Sequence, residues 1–100
     1  MKEYIFKQYI DNICNHLTIV SEDLFVKTKE AGVVEARQLL YFLCYTKSNM
    51  SITEISKYAL NKGYTQDVSN IKKAITRVEE RIATDPDYKS IIKRLDRVEV

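Results

Sequence analysis

The side chains best suited to chemistry in this chain lie in one stretch, where amides and a hydroxyl are interspersed with cations. The candidate residues in this stretch are Gln66, Ser69, Asn70, Lys72, Lys73 and Arg77. Amide side chains bind adenine edges, whereas lysine and arginine bind guanine edges or phosphates. The combination predicts contact with duplex DNA, although an ordinary solvated helix face would have a similar composition.

The sequence offers no comparable set of residues for catalysis or for metal binding. His16 is the single histidine, and it is not accompanied by the nucleophile and acid of a plausible catalytic triad. One histidine and two distant cysteines do not give a metal-ligand spacing, and no glycine-rich phosphate-binding loop is present. We therefore predict that the protein is not an enzyme and needs no cofactor.

Size and composition favour one helical domain spanning residues 1–100. A chain of this length can bury a core without disulfides, and Cys14 and Cys44, which lie among apolar residues, are expected to be buried free thiols. No run approaches the ~20 apolar residues of a membrane span, and Met1 is not followed by a signal peptide. We expect a cytoplasmic protein without membrane partners, in a bacterium or in a host cell infected by a phage.

The distribution of charge is more informative than the formal net charge of +2. Cations precede and occupy the polar stretch, whereas acids lie mainly near the two ends of the chain. Phosphate neutralisation supplies much of the affinity of DNA-binding proteins, so this small net charge predicts modest affinity.

Hydrophobic spacing is helical throughout and predicts an all-α fold with five to six helices. A first amphipathic helix is predicted over residues 2–17. Its apolar stripe comprises Tyr4, Ile5, Tyr9, Ile13, Cys14 and Leu17. Ser21 is expected to cap a short helical turn that adds Leu24 and Phe25 to the core.

A loop is predicted over residues 27–32, because it contains two cations and the flexible Gly32. Lys27 and Lys29 in this loop are either solvated or in contact with a DNA backbone or minor groove. The next helix, over residues 33–46, is apolar on nearly every side and should be buried. Arg37 within it has two alternative partners, an acid on a neighbouring helix or a DNA phosphate.

The polar stretch belongs to a predicted helix-turn-helix. Ser51 and Glu54 have the spacing of a capping box, which predicts the start of a helix over residues 51–60. The apolar positions of this helix are Ile52, Ile55, Ala59 and Leu60. Residues 61–66 contain Gly63 and mostly polar side chains, so they predict a turn longer than that of a standard helix-turn-helix.

The second helix of this motif is predicted over residues 67–84 and carries the polar stretch. Its core stripe comprises Ile71, Ala74, Ile75, Val78 and Ile82, and Val68 extends the stripe or lies at its edge. Asp85 is predicted to cap a last helix that begins at Pro86. That helix would cover the core with Tyr88, Ile91, Ile92 and Leu95.

The order and spacing of these pieces over about ninety residues resembles the C-terminal DNA-binding domain of the bacterial replication initiator DnaA. The informative pieces are EARQLLYFL at residues 35–43, SITEIS at 51–56 and DVSNIKKAITRVE at 67–79. The resemblance implies an all-helical domain with a helix-turn-helix related to that of Trp repressor. It also implies binding of a short duplex repeat at replication origins.

The resemblance places Lys29 in the family's basic loop, which reaches the minor groove, and matches Arg37 to a family arginine. Asp67 and Ser69 match the aspartate and the base-contacting hydroxyl residue of the family's recognition helix. The combined candidates for DNA binding are Lys27, Lys29, Arg37, Gln66, Ser69, Asn70, Lys72, Lys73 and Arg77.

The recognition helix also departs from the family pattern. Val68 stands where the family has histidine, Asn70 where it has threonine, and Gly63–Gln66 replace two glycines and an arginine. The resemblance therefore implies the fold more strongly than the family's base specificity. The initiator's ATP-binding domain has no counterpart in these residues.

The sequence leaves two functions to compare. The first is a small stand-alone protein, of a kind found in phages and mobile elements, that binds duplex DNA in replication or transcription control. A replication or transcription protein would be a further partner. The alternative is a protein-interaction module that kept the fold and lost specific DNA binding, which the low net charge and the altered signature favour.

Overall fold

A computed structural model describes residues 2–97. This part of the chain forms six α-helices and no strands. The helices are α1 (Lys2–Leu17), α2 (Ser21–Leu24), α3 (Ala31–Phe42), α4 (Ile52–Asn61), α5 (Val68–Thr84) and α6 (Pro86–Leu95). The predicted all-α fold is thus confirmed. The predicted domain also includes residues 1 and 98–100, which lie outside the described residues.

The centre of the fold is α3, which contacts α1, α2 and α5. Its Leu39 and Leu40 are fully buried, as the broad apolarity of this helix predicted. The buried stripe of α5 joins the same core through Ile71, Ala74, Ile75 and Val78. Because this stripe spans one side of α5, the helix lies on α3 with its polar side turned outward.

Both ends of α3 differ from the prediction of a helix over residues 33–46. The helix begins at Ala31, so Gly32 lies in its first turn rather than in the preceding loop. It ends at Phe42 and continues as a π-helical turn, Leu43–Lys47. After this wider turn the Met50 N–H donates to the Cys44 carbonyl over 3.0 Å, which holds the Met50 side chain in the core.

The buried face of α1 is shifted from the predicted stripe. Phe6 and Ile10 are buried together with Tyr9 and Ile13, whereas 43% of Tyr4 is exposed. The buried stripe of α1 contains Phe6, which the predicted stripe did not. The Phe6 ring stacks on the Phe25 ring, with 6.2 Å between ring centroids.

The predicted cap of the short second helix is wrong. Val20 holds the N-cap position of α2 and makes no side-chain cap bond, and Ser21 is the first helical residue. The Ser21 hydroxyl lies 3.5 Å from the Glu22 carboxylate instead. Leu24 is buried and Phe25 packs against the core, which confirms their predicted place.

The capping box of α4 is confirmed. The Glu54 N–H donates to Ser51 Oγ over 3.1 Å, and the Ser51 N–H donates to Glu54 Oε1 over 2.9 Å. Each bond satisfies a backbone donor that a helix start leaves unpaired. Leu60, predicted as apolar core, is 57% exposed, because the buried side of α4 is centred on Ile55 and Ala59.

The predicted turn after α4 is also confirmed. Gly63 has a φ of +86°, a conformation that glycine adopts at little cost. The Gly63 N–H donates to the Leu60 carbonyl over 2.8 Å, and the Tyr64 N–H donates to the Ala59 carbonyl over 3.0 Å. These two bonds form a Schellman motif, which ends the helix and turns the chain toward α5.

The last helix begins as predicted, with the Asp85 carboxylate accepting the Asp87 N–H over 3.0 Å. Its far end is tied to α1, because the Tyr9 hydroxyl donates to Asp96 Oδ1 over 2.7 Å. Tyr88 and Ile92 are buried, so α6 covers one side of the core as expected.

Leu40→Ala and Ile75→Ala should each lower the free energy of unfolding by ~2–5 kcal/mol, because each removes buried volume from a packed core. Leu60→Ala is the matched control, since it deletes the same atoms at an exposed position and should change stability by less than ~0.5 kcal/mol. Urea unfolding monitored by circular dichroism measures all three. Equal effects at Leu40 and Leu60 would contradict the assigned core.

The capping box should make stability depend on pH. The Ser51 backbone N–H, and then the Lys2 ammonium 3.0 Å away, lower the Glu54 pKa below its usual 4.5. A lowered pKa stabilises the fold above the unfolded value and loses that contribution as pH falls through the folded value. Glu54→Gln keeps an acceptor for the cap but does not titrate.

The melting temperatures of the parent and of Glu54→Gln should therefore converge as the pH falls from about 6 to about 3. The parent should be the more stable protein at the upper end of this range. A difference in melting temperature that stays constant across the range would show that the Glu54 charge does not contribute.

Candidate nucleic-acid interface

A cleft of about 270 Å³ lies between α3, the turn before α5 and the first half of α5. The predicted site residues that line it are Arg37, Gln66, Asn70, Lys73 and Arg77. None of the described residues that line this cleft is an aspartate or a glutamate. The lining of the cleft therefore combines cations and amides and includes no carboxylate.

The polar side of α5 is divided into two stripes. Asn70, Lys73 and Arg77 line the cleft, at spacings of three and four residues that place them on one helix face. Ser69 and Lys72 are exposed but do not belong to the cleft lining. The sequence predicted one outward face here, and the structure brings only part of it to the cleft.

Gln66 is held at the cleft by two hydroxyls. The Ser56 hydroxyl donates to the Gln66 backbone carbonyl over 3.0 Å, and the Tyr41 hydroxyl donates to Gln66 Oε1 over 3.4 Å. Burial raises the pKa of Tyr41, so this hydroxyl remains a donor. The contacts orient the Gln66 amide, which is half-buried.

The start of α5 is organised around Asp67. Its backbone carbonyl accepts the N–H groups of Asn70 and Ile71, over 3.0 and 3.1 Å. Its carboxylate makes no cap bond to the backbone and accepts the Ser69 hydroxyl over 3.0 Å. The hydroxyl predicted to contact bases is therefore engaged within the helix start in this structure.

Arg37 is buried and makes no ion pair with an acid among the described residues, so the predicted salt bridge to a neighbouring helix is wrong. Only 6% of its surface is exposed. Nη1 donates to the carbonyls of Leu24 and Val26 over 2.8 and 3.0 Å, and Nη2 donates to the Thr28 carbonyl over 3.3 Å. In this structure both Nη atoms donate to the protein backbone, and the predicted contact of Arg37 with a DNA phosphate stays a prediction.

Lys27 and Lys29 are exposed on the loop that Arg37 holds, residues 25–30. They do not line the cleft. Within the loop the Glu30 N–H donates to the Thr28 hydroxyl over 3.2 Å. The loop therefore presents its two ammonium groups to solvent from a backbone that is bonded at several points.

Sequence reasoning missed Gln38, Tyr41 and Tyr64, which also line the cleft. Val34, Gln38 and Tyr41 have the i, i+4, i+7 spacing of one side of α3, a signal that was available in the sequence. Tyr64 gave no such signal, since it lies in a turn. Its ring contacts Arg37, with 4.8 Å between the guanidinium carbon and the ring centroid.

A larger depression of about 710 Å³ involves α1, α2 and the end of α4. Its rim combines Lys7 and Lys62 with Asp11 and Glu22. It shares no lining residue with the smaller cleft. The mixed charge does not match a phosphate backbone, so the smaller cleft is the better nucleic-acid candidate despite its size.

Other kinds of site find little support in residues 2–97. This part of the chain holds no cluster of three or more metal-ligand side chains. It also contains no helix with the length and apolarity to cross a membrane. Cys14 and Cys44 are buried free thiols, as predicted, and burial raises the pKa of both, which disfavours the nucleophilic thiolate.

Known proteins similar to this chain are chromosomal replication initiator proteins, DnaA. The chain is 31% identical to DnaA of Aliarcobacter butzleri over 86% of its length, and 25% identical to DnaA of Bacteroides fragilis over 87%. It is 24% identical to DnaA of Lachnoclostridium phytofermentans over 83%. The chain spans only 17–19% of the length of these relatives.

These matches confirm the resemblance to DnaA over most of the chain, in keeping with its C-terminal DNA-binding domain. No family model matches the chain, and no solved structure matches it.

If the loop lysines contact the DNA backbone, Lys27→Ala and Lys29→Ala should weaken binding to all duplexes by a similar factor. Each loss of a phosphate contact should also reduce the slope of log K against log salt by ~0.9. Lys89→Ala is the control, because Lys89 is an exposed cation on α6. Titrations by fluorescence anisotropy at several salt concentrations measure the slopes, and equal slopes in all four proteins would leave the loop lysines as solvated residues.

Proposed function

We propose that this chain binds duplex DNA in a sequence-dependent manner through α5, the turn before it and the loop at residues 25–30. The observation that carries the proposal is the cleft without carboxylates, which gathers Gln66, Asn70, Lys73 and Arg77. The similarity to replication initiators over most of the chain supports it. The described helices also supply the helix-turn-helix order, with α4, the turn and α5.

Base recognition is assigned to the first turns of α5. Asn70 and Gln66 carry amides, which suit adenine edges, and Lys73 suits a guanine edge. Ser69 would contribute only after its hydroxyl leaves Asp67. Lys72 and Arg77 are assigned to phosphates, since both are exposed cations on the same helix.

The preferred sequence should differ from the initiator's own repeat. Val68, at the position of the family histidine, is 39% exposed and cannot donate a side-chain hydrogen bond. A valine at this position suits apolar contact with a thymine methyl group instead. The longer turn before α5 is a second reason to expect a different preferred sequence.

The proposed biological role is control of replication or transcription through the DNA binding of this domain. In this proposal residues 1–100 act as one DNA-binding domain in the cytoplasm of a bacterium or a phage-infected cell. The protein carries out no catalysis in this role. A replication or transcription protein would be a second partner.

A second candidate function is a protein-interaction module that retains the fold without specific DNA binding. The net charge of +2 and the exposed Val68 favour this alternative. The larger depression, with charges of both signs on its rim, would then be the surface to examine.

The experiment that separates these functions is selection from random duplexes at low and moderate salt, with a protein pull-down in parallel. Sequence-dependent binding predicts enrichment of a common motif and affinity that falls with salt. If no motif is enriched and no duplex is bound near ~50 mM salt, where electrostatic contacts are strong, the DNA-binding proposal fails. The interaction module would then replace it.

Asn70→Ala and Lys73→Ala should each relax the selected motif at one or two base positions. The expected loss of discrimination is ~1–3 kcal/mol per position, because the truncated side chain can no longer bond the base edge. Thr76→Ala provides a control on the same helix, since the Thr76 hydroxyl bonds the Lys72 carbonyl over 3.1 Å. Motifs from both cleft variants that remain identical to the parent motif would remove these residues from base recognition.

A further inference from the structure

We infer that Arg37 is a positioning residue, which fixes the basic loop at residues 25–30 relative to the turn and the start of α5. The inference rests on the proposed function for its consequence in DNA binding. Its structural part can be tested without DNA. It differs from the expectation for an arginine in a basic site, since the guanidinium donates to backbone carbonyls of the protein itself.

The Arg37 guanidinium donates hydrogen bonds to the carbonyls of alternate residues, from the end of α2 into the loop. Leu24 is the last residue of α2, so its carbonyl lacks a continuing helical turn to bond with. Arg37 Nη1 reaches this carbonyl over 2.8 Å and that of Val26 over 3.0 Å, while Nη2 reaches Thr28 over 3.3 Å. These bonds fix the backbone on both sides of Lys27 and immediately before Lys29.

The geometry requires an arginine. The three bonds start from two nitrogen atoms of one rigid plane, whereas the donors of a lysine all project from a single nitrogen on a flexible chain. With 6% of its surface exposed, the cation needs partners that replace water. Carbonyl dipoles serve this purpose, and the Tyr64 ring, 4.8 Å from the guanidinium carbon, adds a cation–π contact.

Tyr64 connects this anchor to the other half of the proposed surface. It lies in the turn before α5, where its N–H donates to the Ala59 carbonyl over 3.0 Å. Its ring also approaches Phe25 at the start of the loop, with 6.4 Å between centroids. The Arg37 guanidinium therefore contacts both the loop and the turn before α5. These contacts fix the position of the loop lysines relative to Gln66.

Trypsin cleavage tests the structural part directly, because Lys27 and Lys29 are trypsin sites inside the anchored loop. Arg37→Lys preserves the charge and adds no new type of cleavage site, but it cannot span the three carbonyls. We expect cleavage after Lys27 and Lys29 to accelerate on the order of tenfold, since native-state proteolysis follows local opening. Cleavage after the exposed Lys57, on α4, should keep its rate and serves as the internal control.

Tyr64→Leu covers the case in which Arg37→Lys does not fold. It removes the cation–π contact while the three carbonyl bonds persist, so cleavage in the loop should accelerate by a smaller factor. Unchanged cleavage after Lys27 and Lys29 in folded Arg37→Lys would overturn the inference. Unchanged cleavage in Tyr64→Leu would overturn it too if the arginine variant is unfolded.

A double-mutant cycle on duplex DNA tests the consequence. Arg37→Lys should weaken the parent severalfold but have little effect when Lys27→Gln and Lys29→Gln are already present, because the arginine acts through the loop. Equal losses in both backgrounds would overturn the inference in favour of a direct contact. Full affinity of Arg37→Lys with accelerated cleavage would overturn the link between loop placement and binding.

Binding of no duplex by the parent would count against the proposed function and not against the anchor. In that case the trypsin result alone decides the structural part. The two failures are thus distinguishable in one set of proteins.

Discussion

The burial of α3 on nearly all sides is the constraint on which the remaining structure depends. Because α1, α2 and α5 all contact this helix, its apolar residues leave little freedom in how the other helices lie. The core stripe of α5 must face α3. Of its two polar stripes, the one with Asn70, Lys73 and Arg77 therefore borders the cleft, and the one with Ser69 and Lys72 faces solvent. The same burial explains Arg37, since a cation on a covered helix needs internal acceptors.

The net charge of this protein is small, but the charge at the cleft beside α5 is distinctly positive. The net value of +2 includes acids that are already paired, such as Glu54 with Lys2 and Glu35 with Arg81. The cleft beside α5 contains cations and amides without a carboxylate among its described lining residues. A weakly charged protein can therefore present a locally basic surface, and the arrangement of charges decides which surface suits DNA.

Sequence reasoning found the features that depend on periodicity and on caps. The all-α fold, the capping box at Ser51 and the core stripe of α5 follow from local spacing, which the structure preserves. The predictions of a Ser21 cap and of a buried Leu60 were wrong, because packing between helices decides the exact cap position and which side of a helix is buried. Arg37 shows the limit most clearly, since a basic residue type does not reveal that carbonyls from another segment surround it. The assignment of individual DNA-contacting residues remains a prediction.

The most direct test of the central claim is an NMR titration of the ¹⁵N-labelled protein with a duplex obtained by selection. The account predicts that amide shifts change mainly in the loop at residues 25–30, in the turn before α5 and in the first half of α5. Residues on α1 and α2 that line the larger depression, such as Asp11 and Glu22, should change little. Shifts concentrated on α1 and α2, or no shifts on adding duplex at low salt, would contradict the account.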